Sequence, residues 1–167
     1  MIPETLNSYA LTLDHLRRLV ADLDEAQVVG QCQCVVNHPA WTLGHLVYSA
    51  QAIGGEIGIS PWLPADWGRR FGTGSVPVAD PKAYPDKAAL LRVLDDGQQR
   101  LADALTAMSE SDLARPLPDV RYRDRLPSIG HAVLHILTTH TAMHVGQVVV
   151  WRRAMGLKAV NEPLNDD

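Results

Sequence analysis

Residues 133–151 constrain this chain more than any other stretch. Val133, Leu137, His140, His144, Gln147 and Trp151 follow one another at spacings of four, three, four, three and four. This is the interior stripe of a packed α-helix; a strand would alternate in twos. The stripe sets two imidazoles at consecutive core positions. Buried polar rings are costly unless something satisfies them. A divalent metal does so directly, because neutral His is the commonest metal ligand. Residues four apart on a helix differ by about 40° in direction and about 6 Å in height. Both rings can then converge on one ion at about 2.0–2.1 Å, the usual zinc–nitrogen distance.

Two His do not complete a site. His45 is the candidate third ligand, because Trp41, His45, Tyr48 and Ala52 repeat the spacing of four, three and four. It is therefore expected to point inward from a second helix. A first helix is read from about Pro3 to Leu23, with the stripe Leu6, Tyr9, Leu13, Leu16, Val20 and Leu23. The His45 helix opens at Pro39, a favoured first-turn residue, and stops near Gly58. A third helix starts near Pro85 and Asp86 with the stripe Leu90, Leu94, Leu101, Leu105 and Met108. Gly97 and Gln98 interrupt it and are expected to make room for a cavity. Ser109 carries a cap signal. The last helix runs from near Pro127 to the cap glycine Gly156. No strand-like alternation persists. These segments predict an all-α fold, a four-helix bundle in a single domain over residues 1–167, with a loose tail over 157–167.

Between the second and third helices lies the Pro-, Gly- and Trp-rich stretch 58–85. It is long enough to cross the bundle and let those helices run parallel. Long ordered loops in compact domains are usually functional, so it is read as a crossover and lid. Trp62, Trp67 and Phe71 from this loop, with Trp41 and Tyr48, are the candidates to line a pocket. For the loop aromatics the competing reading is anchoring to the bundle. Tyr48 either faces the open side of the metal or packs in the core.

The chain has 167 residues and a formal net charge of −4. Without clustered Lys and Arg, nucleic acid is disfavoured as a partner. No signal peptide and no run of about 20 apolar residues is found, so a cytoplasmic protein without a membrane partner is expected. Cys32 and Cys34 are too close for good disulfide geometry and are read as reduced loop thiols. His131 and His135 fall about 180° from His140 and His144 and are expected to face solvent or a partner. His38 is placed at the helix cap, and His15 is expected to be exposed.

Three His leave one position free at a metal, whereas structural zinc is normally closed by four protein ligands. Such a site can hold water, hydroxide or a substrate thiolate. Thr141 stands where the zincin motif needs Glu, so that general base is missing. Glu4, Glu25, Glu56, Glu110 and Glu162 include no Glu-x-x-His pair, which excludes a di-iron carboxylate bundle. Gln147, one turn past His144, is the candidate to hold a ligand's second nitrogen. Gln147 and Tyr48 are also the candidates for a catalytic role. The residues leave open an enzyme acting on a small molecule, by thiol transfer or by hydrolysis, and a non-catalytic metal-binding protein. Three imidazoles accept most first-row divalent ions, and affinity alone favours copper and nickel over zinc.

Taken in order, NHPAWTLGHL, WGRRFGTGS and HTAMHVGQ resemble the DinB/YfiT-like family. The resemblance covers the chain from the first helix to Gly156. It implies a four-helix bundle of unusual topology with a long link between helices 2 and 3. It implies a divalent metal, variously nickel, zinc, manganese or iron, on the positions matching His45, His140 and His144. Homodimers are common in that family. Its characterised members include transferases and isomerases that use the low-molecular-weight thiols bacillithiol or mycothiol. A related bundle carries the iron site of ergothioneine-type sulfoxide synthases. The resemblance therefore points to thiol-dependent transfer onto a small electrophile.

Overall fold

Four long helices form because four apolar stripes repeat at helical spacing and need one another for burial. The computed structural model describes residues 1–32 and 35–160. Helix α1 spans Ile2–Ala21 and α2 spans Pro39–Glu56. The short α3, Trp67–Phe71, lies within the crossover, and α4 spans Lys87–Thr106. After the short α5, Glu110–Ala114, the last long helix is built in three pieces. These are α6, Ile129–Leu134, a π-turn over His135–His140, and α7, Thr141–Ala154. Single 3-10 turns occupy Gln27–Val29, Pro81–Ala83 and Val120–Tyr122. Among the described residues there is no strand, only two isolated bridges.

Local chemistry sets the ends. His38, Asp86 and Ser128 accept from backbone N–H groups in the first turns of α2, α4 and α6. Ser109 and Asp112 form a capping box on α5. Gly58 and Gly156 follow α2 and α7 with φ of 93° and 70°. At each, the next residue's N–H closes back on the helix, Ile59 to the Gly54 carbonyl and Leu157 to Arg152.

Helix directions follow from side-chain contacts. Lys87, at the start of α4, donates to the Val20, Ala21 and Leu23 carbonyls at the end of α1. Arg17 of α1 reaches Asp95 and Gln98 of α4. These two helices are antiparallel. Arg152, at the end of α7, meets Leu19 and Asp22 at the end of α1, so α1 and α7 are parallel. Asn37, just before α2, bonds Gln147 of α7 while His45 meets His140, so α2 opposes α7. Hence α2 and α4 run the same way, side by side, and the long crossover is what permits it. Leu90, Leu94, Leu101 and Leu105 of α4 are buried against this core, each contributing about 2 kcal/mol.

The crossover is pinned by its aromatic residues. Phe71 lies directly over Gly44, where any Cβ would come within 2.1 Å of its ring. Trp67 donates to the Gly44 carbonyl at 3.0 Å. Trp62 packs on Gly54 and fills the space beside Gly97, so the expected cavity at Gly97 is occupied by this indole. Residues 157–160 are not loose as expected from the sequence. The Lys158 carbonyl accepts from Arg152, and Leu157 and Val160 pack on the core. The rest of the expected tail, 161–167, lies outside the described residues, as does Cys34. No described helix is long and apolar enough to cross a membrane.

Candidate metal centre

His45 of α2, His140 at the end of the π-turn and His144 of α7 meet in one triangle. Ring centroids lie 5.2 Å apart for His45 and His140, and 4.6 Å apart for each of the other two pairs. One nitrogen from each ring falls within 4.8 Å of the other two. Among the described residues no other His, Cys, Asp or Glu joins the group. His45 and His144 are buried, while His140 is partly exposed.

The outer nitrogens decide which inner atoms are available. His45 Nδ1 lies 2.7 Å from the Phe71 carbonyl, which accepts only from N–H. His45 Nε2 is thereby left as a lone pair, and it faces His140 Nε2 at 3.2 Å. His144 Nδ1 lies 3.0 Å from Gln147 Oε1, and Asn37 donates to the same oxygen at 3.1 Å. That leaves His144 Nε2 as a lone pair as well. His140 Nδ1 is buried without a hydrogen-bond partner. Three inward imidazoles, two of them locked with Nδ1–H outward, fit a divalent ion.

Electrostatics agree with this assignment. Burial, reinforced by the neighbouring imidazoles, pushes the His140 pKa down to about 3. Burial also takes His144 to about 4 and lowers His45. All three rings are neutral near pH 7, the form that ligates metal.

The surrounding residues have distinct places. Trp41 stacks on His45 at 4.6 Å with a 9° tilt and donates from Nε1 to Ser75 Oγ at 2.8 Å. It forms one wall of the triangle, tethered to the crossover. Tyr48 is half-buried with its ring against Gly68 and Gly72. Trp67 and Phe71 are buried beneath α3 against Gly44, and Phe71 serves the site through its carbonyl. Trp62 sits between α2 and α4, with Arg100 over its ring. Glu56, far along α2, accepts from the Asp119 backbone and anchors the following loop.

The other histidines divide. His38 is fully buried at the α2 cap, accepting from Trp41 N at 3.2 Å and donating to the Val78 carbonyl at 3.1 Å. His131 is exposed. His15 is half-buried rather than exposed. His135 departs from the expectation that it points away, because its ring lies 6.4 Å from that of His140. Five residues of α-helix separate side chains by about 140°; a π-turn absorbs one residue and reduces this to about 40°. Cys32 is half-buried, with its thiol 3.6 Å from the Val35 carbonyl.

Sequence reasoning missed the Phe71 carbonyl, Asn37 and Ser75. A backbone acceptor leaves no mark on its own side chain, and Asn37 is 110 residues from Gln147. A cleft of about 770 Å³ lies elsewhere, between Met1, Leu6, Leu105, Leu113 and His131, and none of the three His lines it. Donor chemistry, and not open volume, marks the site.

Compared with individual curated proteins, the chain has no match. The DinB superfamily profile matches residues 8–148, which include α2, the π-turn and all three histidines. On that match and on its all-helical architecture, the chain belongs to the DinB superfamily.

Proposed function

We propose that this protein is a divalent-metal enzyme that transfers a low-molecular-weight thiol onto a small electrophile. The observation that carries this reading is the convergence of three imidazoles whose second nitrogens are turned outward, two of them onto fixed acceptors. Superfamily membership supports it. A bound ion supplies Lewis acidity, which favours the thiolate over the thiol. The thiolate sulfur forms a bond to the electrophilic carbon as the bond to the leaving group breaks, and the thiol proton goes to solvent. Trp41 walls the site on the His45 side, and Gln147 with Asn37 holds His144 in place. We place the protein in the cytoplasm as a homodimer whose partner is a small molecule and neither nucleic acid nor membrane.

The test is elemental analysis of untagged protein expressed without added metal, for wild type and His140→Ala. About one equivalent per chain, lost in the variant, is expected, and its identity decides among zinc, nickel, manganese and iron. A thiol-consumption assay with electrophile panels, run beside an ester and amide hydrolysis panel, then separates transfer from hydrolysis. A wild type that neither carries nor binds metal on titration would sink the reading.

A further inference from the structure

Two of the three histidines in the triangle have an acceptor on the outer nitrogen, and the third does not. His45 Nδ1 has the Phe71 carbonyl and His144 Nδ1 has Gln147 Oε1, whereas His140 Nδ1 is buried without a partner. Without an ion, His140 can keep its proton on Nε2 and donate to His45 Nε2, 3.2 Å away. Ligation through Nε2 moves that proton to Nδ1. A buried N–H without an acceptor is costly, and ligating imidazoles almost always donate from the second nitrogen.

Among the described residues outside the triangle, the ring in contact with His140 is that of His135, at 6.4 Å between centroids and 55° between planes. A neutral imidazole offers one acceptor nitrogen. His135 is half-exposed, so a side-chain rotation or one bridging water can span the remaining gap. The backbone is built to hold it there. Within the π-turn, Thr138 Oγ1 donates to the Leu134 carbonyl at 2.6 Å. The buried Thr141 hydroxyl donates to the Ile136 carbonyl, five residues back, at 2.8 Å. Threonine hydroxyls that bond preceding carbonyls bend helices, and π-turns recur at functional sites.

We propose that His135 is the positioning residue for His140, accepting its Nδ1–H when an ion is bound, and that the Thr-latched π-turn brings the two rings together. This rests on the metal-centre reading above. The experiment is a zinc titration of metal-free, untagged protein against a competing chelator, for wild type, His135→Phe and His135→Gln. His135→Phe is expected to weaken zinc binding about 10-fold or more, and His135→Gln, which restores an acceptor, to recover most of the loss. Thermal stability of the metal-free forms is expected to stay unchanged. In zinc-loaded wild type, an Nδ1–H proton resonance of His140 is expected by NMR and should vanish in His135→Phe. Equal zinc affinity in wild type and His135→Phe, with that resonance retained, overturns this inference alone. A wild type that binds no zinc or other divalent ion overturns the metal centre and this inference together.

Discussion

Two polar constellations in this bundle are built on opposite logic. At the Arg152 clamp, a residue only 2% exposed gives its guanidinium donors to Leu19 and Lys158 carbonyls and to both oxygens of Asp22. The Arg152 guanidinium holds the Asp22 carboxyl below the usual carboxylate range. Donors meet acceptors there, and the ends of α1 and α7 are tied together. In the triangle, the inner nitrogens of His45 and His140 face each other at 3.2 Å, and His45 and His144 have their acceptors on the outside. The clamp is complete as folded, whereas the triangle turns one nitrogen of each of three rings toward a common point, with a His140–His45 contact as its one inner hydrogen bond. A buried polar group that satisfies its neighbours holds structure; neutral imidazoles whose nitrogens converge on one point can hold a cation.

The largest effect that would break this comparison belongs to the clamp. Arg152→Met should cost about 3 kcal/mol in urea unfolding, because buried carbonyls lose their donor. Metal stoichiometry should stay at the wild-type value, since His144 lies eight residues back, about 12 Å along the helix. A variant that keeps its stability but loses metal would invert the assignment.

A smaller effect sharpens the other side. Gly44→Ala forces a Cβ into the Phe71 ring, so the crossover must shift and carry away the carbonyl that holds His45. The expected cost is about 1–3 kcal/mol together with about 10-fold weaker zinc binding. Chelator competition and denaturant unfolding on the same preparation measure both. An unchanged zinc affinity would remove Phe71 from the site.

A third effect, spread over a range of pH, lies in the metal-free protein. Folded His140 and His144 titrate near 3 and 4, below the ordinary histidine value of 6.5. Below that value the unfolded chain binds more protons than the folded one. This stability is therefore fully present above the ordinary histidine value and is lost as pH falls toward the folded values. Unfolding curves from neutral to mildly acidic pH should show this slope, and His140→Ala should flatten it. An identical slope in the variant would place the acid sensitivity elsewhere, with His38, buried and lowered to about 4, the first candidate.

The triangle was legible because each histidine lies on an apolar stripe, and stripe membership is a property of spacing within one helix. Gln147 was legible for the same reason, one turn past His144. His135 was misjudged because a helical wheel assumes one period throughout, and the π-turn changes that period between Leu134 and Thr141. Gly97 looked like a gap because its filler, Trp62, comes from a loop 35 residues earlier.

Sequence alone determined the four long helices, their caps and the inward direction of His45, His140 and His144. These follow from contacts within about one turn, which spacing and residue type encode. Tertiary structure decided that the Phe71 carbonyl holds the outer nitrogen of His45, how the crossover seats Phe71 over Gly44, and that His135 turns toward the site. Those outcomes depend on backbone carbonyls and on one extra residue in a turn. Neither carries a periodic signal, so only packing against α1 and α2 reveals them.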